Sequence, residues 1–322
     1  MKKLQKLIAS LVLALTLIIS SGCNGDDVIP DIYTSIYPIE YIAGRIVEDD
    51  LVVRSIYPRG KDVHDYELSP KDMIKISKSK LLFYIGAGLE GLIEQSLDTT
   101  LKDVPTISLS EGLNLVEINS EHHHDEDEHE HHQNEDGVFY DPHIWLDLDK
   151  MHSMTTRMLV HIVDTFDLTE EQKTRFTNNA NALKADLLAL DQDFFDVINS
   201  SDVKDKTIIV DHDAYIYWEV RYGLQRMRIR NDNESTDAIP KDMIEKINIA
   251  KEKNIKHICL TKNEMPSSIA NQYKTQLELG SDGFLFLHHL ATITADEQKQ
   301  GLDYMSIMQD NLEVLSKALP KK

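Results

Sequence analysis

The stretch Thr169–Ile198, TEEQKTRFTNNANALKADLLALDQDFFDVI, decides how the chain is organised. Phe176, Ala180, Leu183, Leu187, Leu190, Phe194 and Val197 follow one another at spacings that alternate between four and three. That spacing repeats an apolar side chain along one face of an α-helix and leaves Asn, Lys and Asp on the other. At 1.5 Å per residue such a helix is about 45 Å long, enough to run the length of two lobes.

On either side of this helix the pattern changes. Short apolar runs at Ile32–Ile36, Leu51–Tyr57, Leu81–Ile85 and Thr106–Leu109 precede it, and Thr207–Val210, Met227–Ile229, Ile255–Leu260 and Phe284–Leu287 follow it. Their length and apolar content predict buried strands. Helical patterns lie between them, at Pro38–Val47, Pro70–Ser77, Pro240–Lys251, Ser267–Leu277 and Gln298–Leu319. Alternating strands and helices predict an α/β fold: two lobes, each a mainly parallel sheet flanked by helices, joined by the single long rigid helix. The expected division is a leader over 1–23, an N-terminal lobe over 24–166, the linking helix over 167–200 and a C-terminal lobe over 201–322.

The N-terminus has the pattern of an export signal. Lys2, Lys3 and Lys6 precede an apolar run from Leu7 to Ile19, too short to span a bilayer. Ser20, Ser21 and Gly22 then lead to Cys23, which resembles a lipobox, although Ser20 stands where an aliphatic residue is usual. The expectation is an extracytoplasmic protein tethered to the membrane by lipid on Cys23. The other cysteine, Cys259, has no partner for a disulfide once Cys23 is lipidated, and two cysteines exclude a Cys-rich zinc site. A net charge of −21 excludes nucleic acid as a partner and favours attraction of cations.

Fourteen histidines carry the chemistry. Six of them, His122, His123, His124, His129, His131 and His132, lie in EHHHDEDEHEHHQNED (121–136), a run with no apolar residue that cannot bury itself. It reads as an auxiliary metal-collecting loop, or as a solvated charge run, and any metal binding by it should weaken below about pH 6. Others stand at strand ends. His64 in DVHDYE follows Leu51–Tyr57, His212 in VDHDAY follows Thr207–Val210, and His288 follows Phe284–Leu287; His143 lies in DPHIWLD, where no strand is clear. Ligands of open α/β sheets bind at the carboxyl ends of strands. Asp62, Asp65, Asp141, Asp211 and Asp213 flank three of these histidines, and a metal-bound imidazole commonly donates its second N–H to a carboxylate. His152, His161 and His257 read as surface or packing residues, and Trp145 and Trp218 as packing near their motifs.

Five stretches in order make a resemblance specific: TSIYPIEYIAGRI (34–46), YPRGKDVHDYELSPKD (57–72), FYIGAGLEGLIE (83–94), DPHIWLD (141–147) and VDHDAYIYWEVRYGL (210–224). Together they resemble the metal-binding solute-binding lipoproteins of bacterial ABC importers, the zinc and manganese type, over nearly the whole chain. The acidic histidine run is similar to that of the zinc members. The resemblance implies His64, His143 and His212 as ligands of a metal held between the lobes. At the fourth ligand the chain departs from the many relatives that carry an acid in that region; some relatives have a histidine at the first of these positions, so the resemblance points to His288, with His289, a water or a nearby carboxylate as the alternatives. Glu90 resembles a family position near the site that is not a ligand. The cargo implied is Zn²⁺, since imidazoles suit tetrahedral zinc and Mn²⁺ would want more carboxylate. The implied partners are a permease and its ATPase, and the expected state is a monomer that is not an enzyme. The alternatives are a Mn²⁺ importer component and a zinc-dependent hydrolase; no HExxH is present to support the latter.

Overall fold

The computed structural model describes residues 29–61, 63, 66–118, 138–229 and 241–322. The leader with Cys23, the run 121–136, and Asp62, His64 and Asp65 lie outside the described residues.

The N-terminal half contains β1 (Ile32–Thr34), α1 (Tyr37–Val47), β2 (Val53–Ser55), α2 (Pro70–Ile76), β3 (Leu81–Tyr84), α3 (Gly91–Ser96) and β4 (Thr106–Ser108). The four strands form one sheet in the order β2-β1-β3-β4, all parallel. A two-stranded antiparallel ladder, β5 (Glu117–Ile118) with β6 (Phe139–Tyr140), follows and delivers the chain to Asp141. The sequence pattern missed it because two residues per strand carry no periodicity.

Next come α4 (Leu148–Thr165) and α5 (Glu170–Ile198), the long helix. Its start is set by Thr169, whose hydroxyl accepts the Gln172 N–H while Gln172 reaches back to the Thr169 N–H. The buried stripe is Phe176, Ala180, Leu183, Leu187, Leu190, Phe194 and Ile198. Val197, expected on that stripe, is only partly buried, and Ile198 takes the last position, as a period of 3.6 allows.

The C-terminal half contains β7 (Thr207–Val210), α6 (Ile216–Tyr222), β8 (Gln225–Arg228), α7 (Lys241–Glu252), β9 (Ile258–Thr261), α8 (Ser268–Gln276), β10 (Phe284–Leu287), α9 (Ala295–Lys299) and α10 (Tyr304–Ala318). Its sheet runs β10-β9-β7-β8, again parallel throughout. Read by order of appearance, both sheets have the same arrangement: second, first, third, fourth. Each therefore reverses its winding direction beside its first strand, where ligands of open sheets bind. β3, β7 and β9 are buried along their whole length, as central parallel strands should be.

The helix expected over Gln298–Leu319 is two helices. Gly301 lies between them with φ of 80°, a conformation that ends a helix. The linking helix packs against α1, α4 and α10. One apolar core includes Ile32 and Phe83 of the first sheet, Leu187 of the linking helix and Ile208 and Leu287 of the second. A second cluster, with Ile209, Met243 and Tyr273, fills the far face of the second sheet.

Candidate metal centre

The segment 141–147 is the N-terminal half's contribution. The Asp141 carboxylate accepts both the backbone N–H of His143 at 2.9 Å and the ring Nδ1–H at 3.0 Å. One carboxylate thus sets the turn and the tautomer, and directs His143 Nε2 away from it. A short 3₁₀ turn, Ile144–Leu146, follows, and Asp147 caps α4 through the Asp149 and Lys150 N–H groups.

Aromatic side chains bind this segment to the other half. Tyr217 donates its hydroxyl to the Asp141 carbonyl at 2.7 Å, and Tyr304 to the Trp145 carbonyl at 2.7 Å. Trp218 Nε1 donates to the Leu146 carbonyl at 2.9 Å. In return, Trp145 Nε1 donates to the His289 carbonyl at 2.7 Å, while its ring lies 5.1 Å from that of His143. All four rings are buried. Sequence reasoning assigned Trp145 and Trp218 to packing alone; their N–H groups add positioning, and a buried Trp N–H must find an acceptor somewhere.

His212 follows β7. Its neighbour Asp211 is tied to β9 by its N–H to the Cys259 carbonyl, and Asp213 is paired with Arg226 and Arg228. The ring of His212 stands 5.7 Å from that of His143, nearly perpendicular to it, and 5.4 Å from that of His289. Imidazoles sharing one tetrahedral Zn²⁺, at about 2.1 Å per nitrogen, have ring centres about 5 Å apart. Both spacings are close to that. The Nε2 atoms of His143 and His212 are buried.

His288 and His289, adjacent in sequence, face different neighbours. His288 accepts the Leu290 N–H at Nδ1 (2.9 Å), which leaves its Nε2 to carry the proton, 3.6 Å from Glu297. Its backbone is held on both sides by the Asn311 amide, at 2.8 Å each way. The His288 contact, ahead of those from Asn263 and Thr294, holds the Glu297 carboxyl well below the usual range. The matching N–H contact to His289, from Ala291, is longer, at 3.3 Å. Glu297 and Asn311 were not anticipated. Asn311 could have been, as a polar residue on the buried stripe of α10.

Among the described residues, no group of three or more His, Cys, Asp or Glu side chains is placed so that it could hold a metal ion. The rings of His143, His212 and His289 make an open arc, and the expected His64 lies outside the described residues. Glu90 is buried, and its carboxylate accepts the N–H groups of Ile85 and Gly86. Burial pushes its pKa up to about 7, against the lowering effect of those bonds. It holds the loop after β3. Cys259 is buried, with its thiol pushed up to about 12 by burial, which makes it inert.

Residues 32–318 match the family described as zinc-uptake complex component A, periplasmic (ZnuA). The chain belongs to this family. It is 27% identical over 317 residues to the zinc-binding lipoprotein AdcA of Streptococcus pneumoniae, covering 98% of this chain and 60% of that protein. The manganese ABC transporter substrate-binding lipoprotein PsaA of Streptococcus anginosus is 24% identical over 291 residues, covering 87% of this chain and 86% of PsaA. Among solved structures, Zn(II)-bound AdcA of Streptococcus pneumoniae superposes with a TM-score of 0.71 at 24% identity, over 90% of this chain and 58% of that one. The metal-dependent lipoprotein YcdH of Bacillus subtilis gives 0.72 at 23%, over 89% and 98%. At these identities the structural likeness carries the two-lobe α/β fold. The chain spans about 60% of the length of AdcA. The family is described as a periplasmic component of zinc uptake and is not a family of enzymes.

Proposed function

We propose that this chain captures a single Zn²⁺ between its two lobes and delivers it to an ABC permease and its ATPase. The observation that carries the reading is that His212 lies close to both His143 and His289, rings drawn from both halves, at spacings near those of imidazoles on one tetrahedral ion. His64 supplies the fourth position from the arm 57–66. The ligand choice favours His289 over His288. Its ring is beside that of His212, whereas the His288 ring lies against Glu297. Ligation by His289 Nε2 leaves the proton on Nδ1, so the long contact from the Ala291 N–H is the bond that must yield.

An all-imidazole set with a carboxylate behind His143 supports zinc over manganese, which prefers oxygen donors. The relative AdcA is named as zinc-binding and PsaA as a manganese protein, so both metals belong in the test. The run 121–136 serves as a weaker collector of the same ion, and lipid on Cys23 keeps the protein at the membrane, as a monomer beside its permease. Calorimetric titration with Zn²⁺ and Mn²⁺ tests the reading: one tight zinc site is expected, lost on His143→Ala, His212→Ala, His289→Ala or His64→Ala. Tighter binding of Mn²⁺ than Zn²⁺ would overturn the choice of cargo.

A further inference from the structure

The turn that carries His212 is held by two arginines from the neighbouring strand. β8 reads Gln225-Arg226-Met227-Arg228, and alternation along a strand sends Met227 to the core face and both arginines to the other. β8 lies beside β7 in parallel register, with Arg226 opposite Ile208 and Arg228 opposite Val210. Both arginines thus stand beside the exit of β7, where the chain continues as Asp211, His212 and Asp213.

They take both oxygens of the Asp213 carboxylate. Arg226 Nη1 donates to Oδ1, and Arg228 Nη1 donates to Oδ2 at 2.8 Å. The Arg226 guanidinium also meets Glu219 of α6, with Nε 3.1 Å from Oε1 and Nη2 3.3 Å from Oε2. Its backbone N–H donates to Glu219 Oε1 at 2.7 Å. The Arg226 side chain is 8% exposed, whereas that of Arg228 is 42% exposed. A buried guanidinium between two carboxylates leaves them only at a high cost in uncompensated charge. Asp211, on the other side of His212, is held separately, by its N–H to the Cys259 carbonyl and by its carboxylate to the Thr261 hydroxyl at 3.4 Å.

Asp213 is therefore a restrained carboxylate one residue from a candidate ligand. Burial pushes its carboxyl up, against the lowering effect of Arg226 and Arg228, and the charge of Asp141 adds to the rise. Asp141 is the acid behind His143, so Asp213 stands within electrostatic reach of the centre. An oxygen donor released beside His212 would suit Mn²⁺, whereas the imidazoles suit Zn²⁺. We propose that Arg226 and Arg228 are positioning residues that set the choice of metal: by holding both oxygens of Asp213 they keep a carboxylate off the ion beside His212. The proposal rests on the ligand reading above. Neither arginine touches the ion; each acts through Asp213.

The test compares the full chain with Arg226→Gln, with Arg228→Gln, and with each of these combined with Asp213→Asn. Zn²⁺ and Mn²⁺ affinities of the tight site are read by competition with a chelator. Arg226→Gln should lower the ratio of zinc to manganese affinity by about tenfold or more, the scale seen when a group behind a ligand is changed. Arg228→Gln, at the half-exposed pair, should lower it by about threefold. Adding Asp213→Asn should return the ratio to the wild-type value in both. A merely structural role would weaken both metals together, leave the ratio alone and give Asp213→Asn nothing to restore. Should Arg226→Gln fail to fold, the ratio in Arg228→Gln decides. An unchanged ratio, with wild-type protein still taking up one Zn²⁺, overturns this proposal alone. Failure of the wild type to take up one Zn²⁺ overturns the ligand reading and this proposal together, and so separates the two failures.

Discussion

At the residue scale, two adjacent histidines are predicted to differ by orders of magnitude. His289→Ala should weaken zinc binding at least about 100-fold, as His143→Ala and His212→Ala should, while His288→Ala should cost less than about tenfold, in chelator-competition titrations. Asp141→Asn keeps the turn but offers His143 Nδ1 a poorer acceptor, and should weaken zinc by about 10- to 100-fold. Glu90 sets a separate, metal-independent prediction. Its carboxyl has a pKa near 7 in the folded protein against an ordinary 4.5, so the folded state binds the extra proton between those values. Stability should therefore fall as pH rises from about 4.5 through 7, by up to roughly 3 kcal/mol from this group. Glu90→Gln should flatten that slope in urea titrations. An unchanged slope would show that Glu90 is not its source. The carboxylate that orients His143 was legible in its Asp-x-His setting, whereas Asp213 beside His212 pairs with Arg226 and Arg228 instead. The choice between His288 and His289 was not legible, because it depends on which ring meets Glu297, nine positions beyond His288.

At the scale of elements, the long helix was readable almost to the residue, because its apolar stripe persists for seven positions and its capping box marks the start. Only its last turn differed, where Ile198 replaces Val197 inside. Leu187→Ala should destabilise the protein by about 2–5 kcal/mol, since Leu187 is fully buried, whereas Leu188→Ala, on the exposed face, should cost well under 1 kcal/mol. Denaturant midpoints check both. The β5–β6 ladder and the break at Gly301 were not readable: two-residue strands have no period, and a single glycine inside a helical pattern is often tolerated. For the run 121–136, deletion should leave the tight zinc site intact and abolish weaker binding in calorimetric titration. Loss of the tight site would show the run to be part of the centre.

At the scale of the whole molecule, the strand order was beyond the sequence, since pairing depends on contacts distant in the chain. It proves to be the same in both halves. The two halves share a core along the linking helix, and Tyr217, Trp218, Tyr304 and Trp145 hydrogen-bond across them. A wide hinge motion would expose that core, so capture and release should proceed by local shifts of the ligand segments. Small-angle scattering should show the same radius of gyration with and without zinc. The net charge of −21 should draw cations in, so zinc association should slow as salt is raised. The central claim, one zinc held by histidines from both halves, is tested most directly by metal analysis of the purified, dialysed chain beside its His143→Ala and His212→Ala variants. The account predicts one Zn²⁺ per wild-type chain beyond what the run 121–136 holds, and its loss from either variant. Full retention of that zinc by both variants would contradict it.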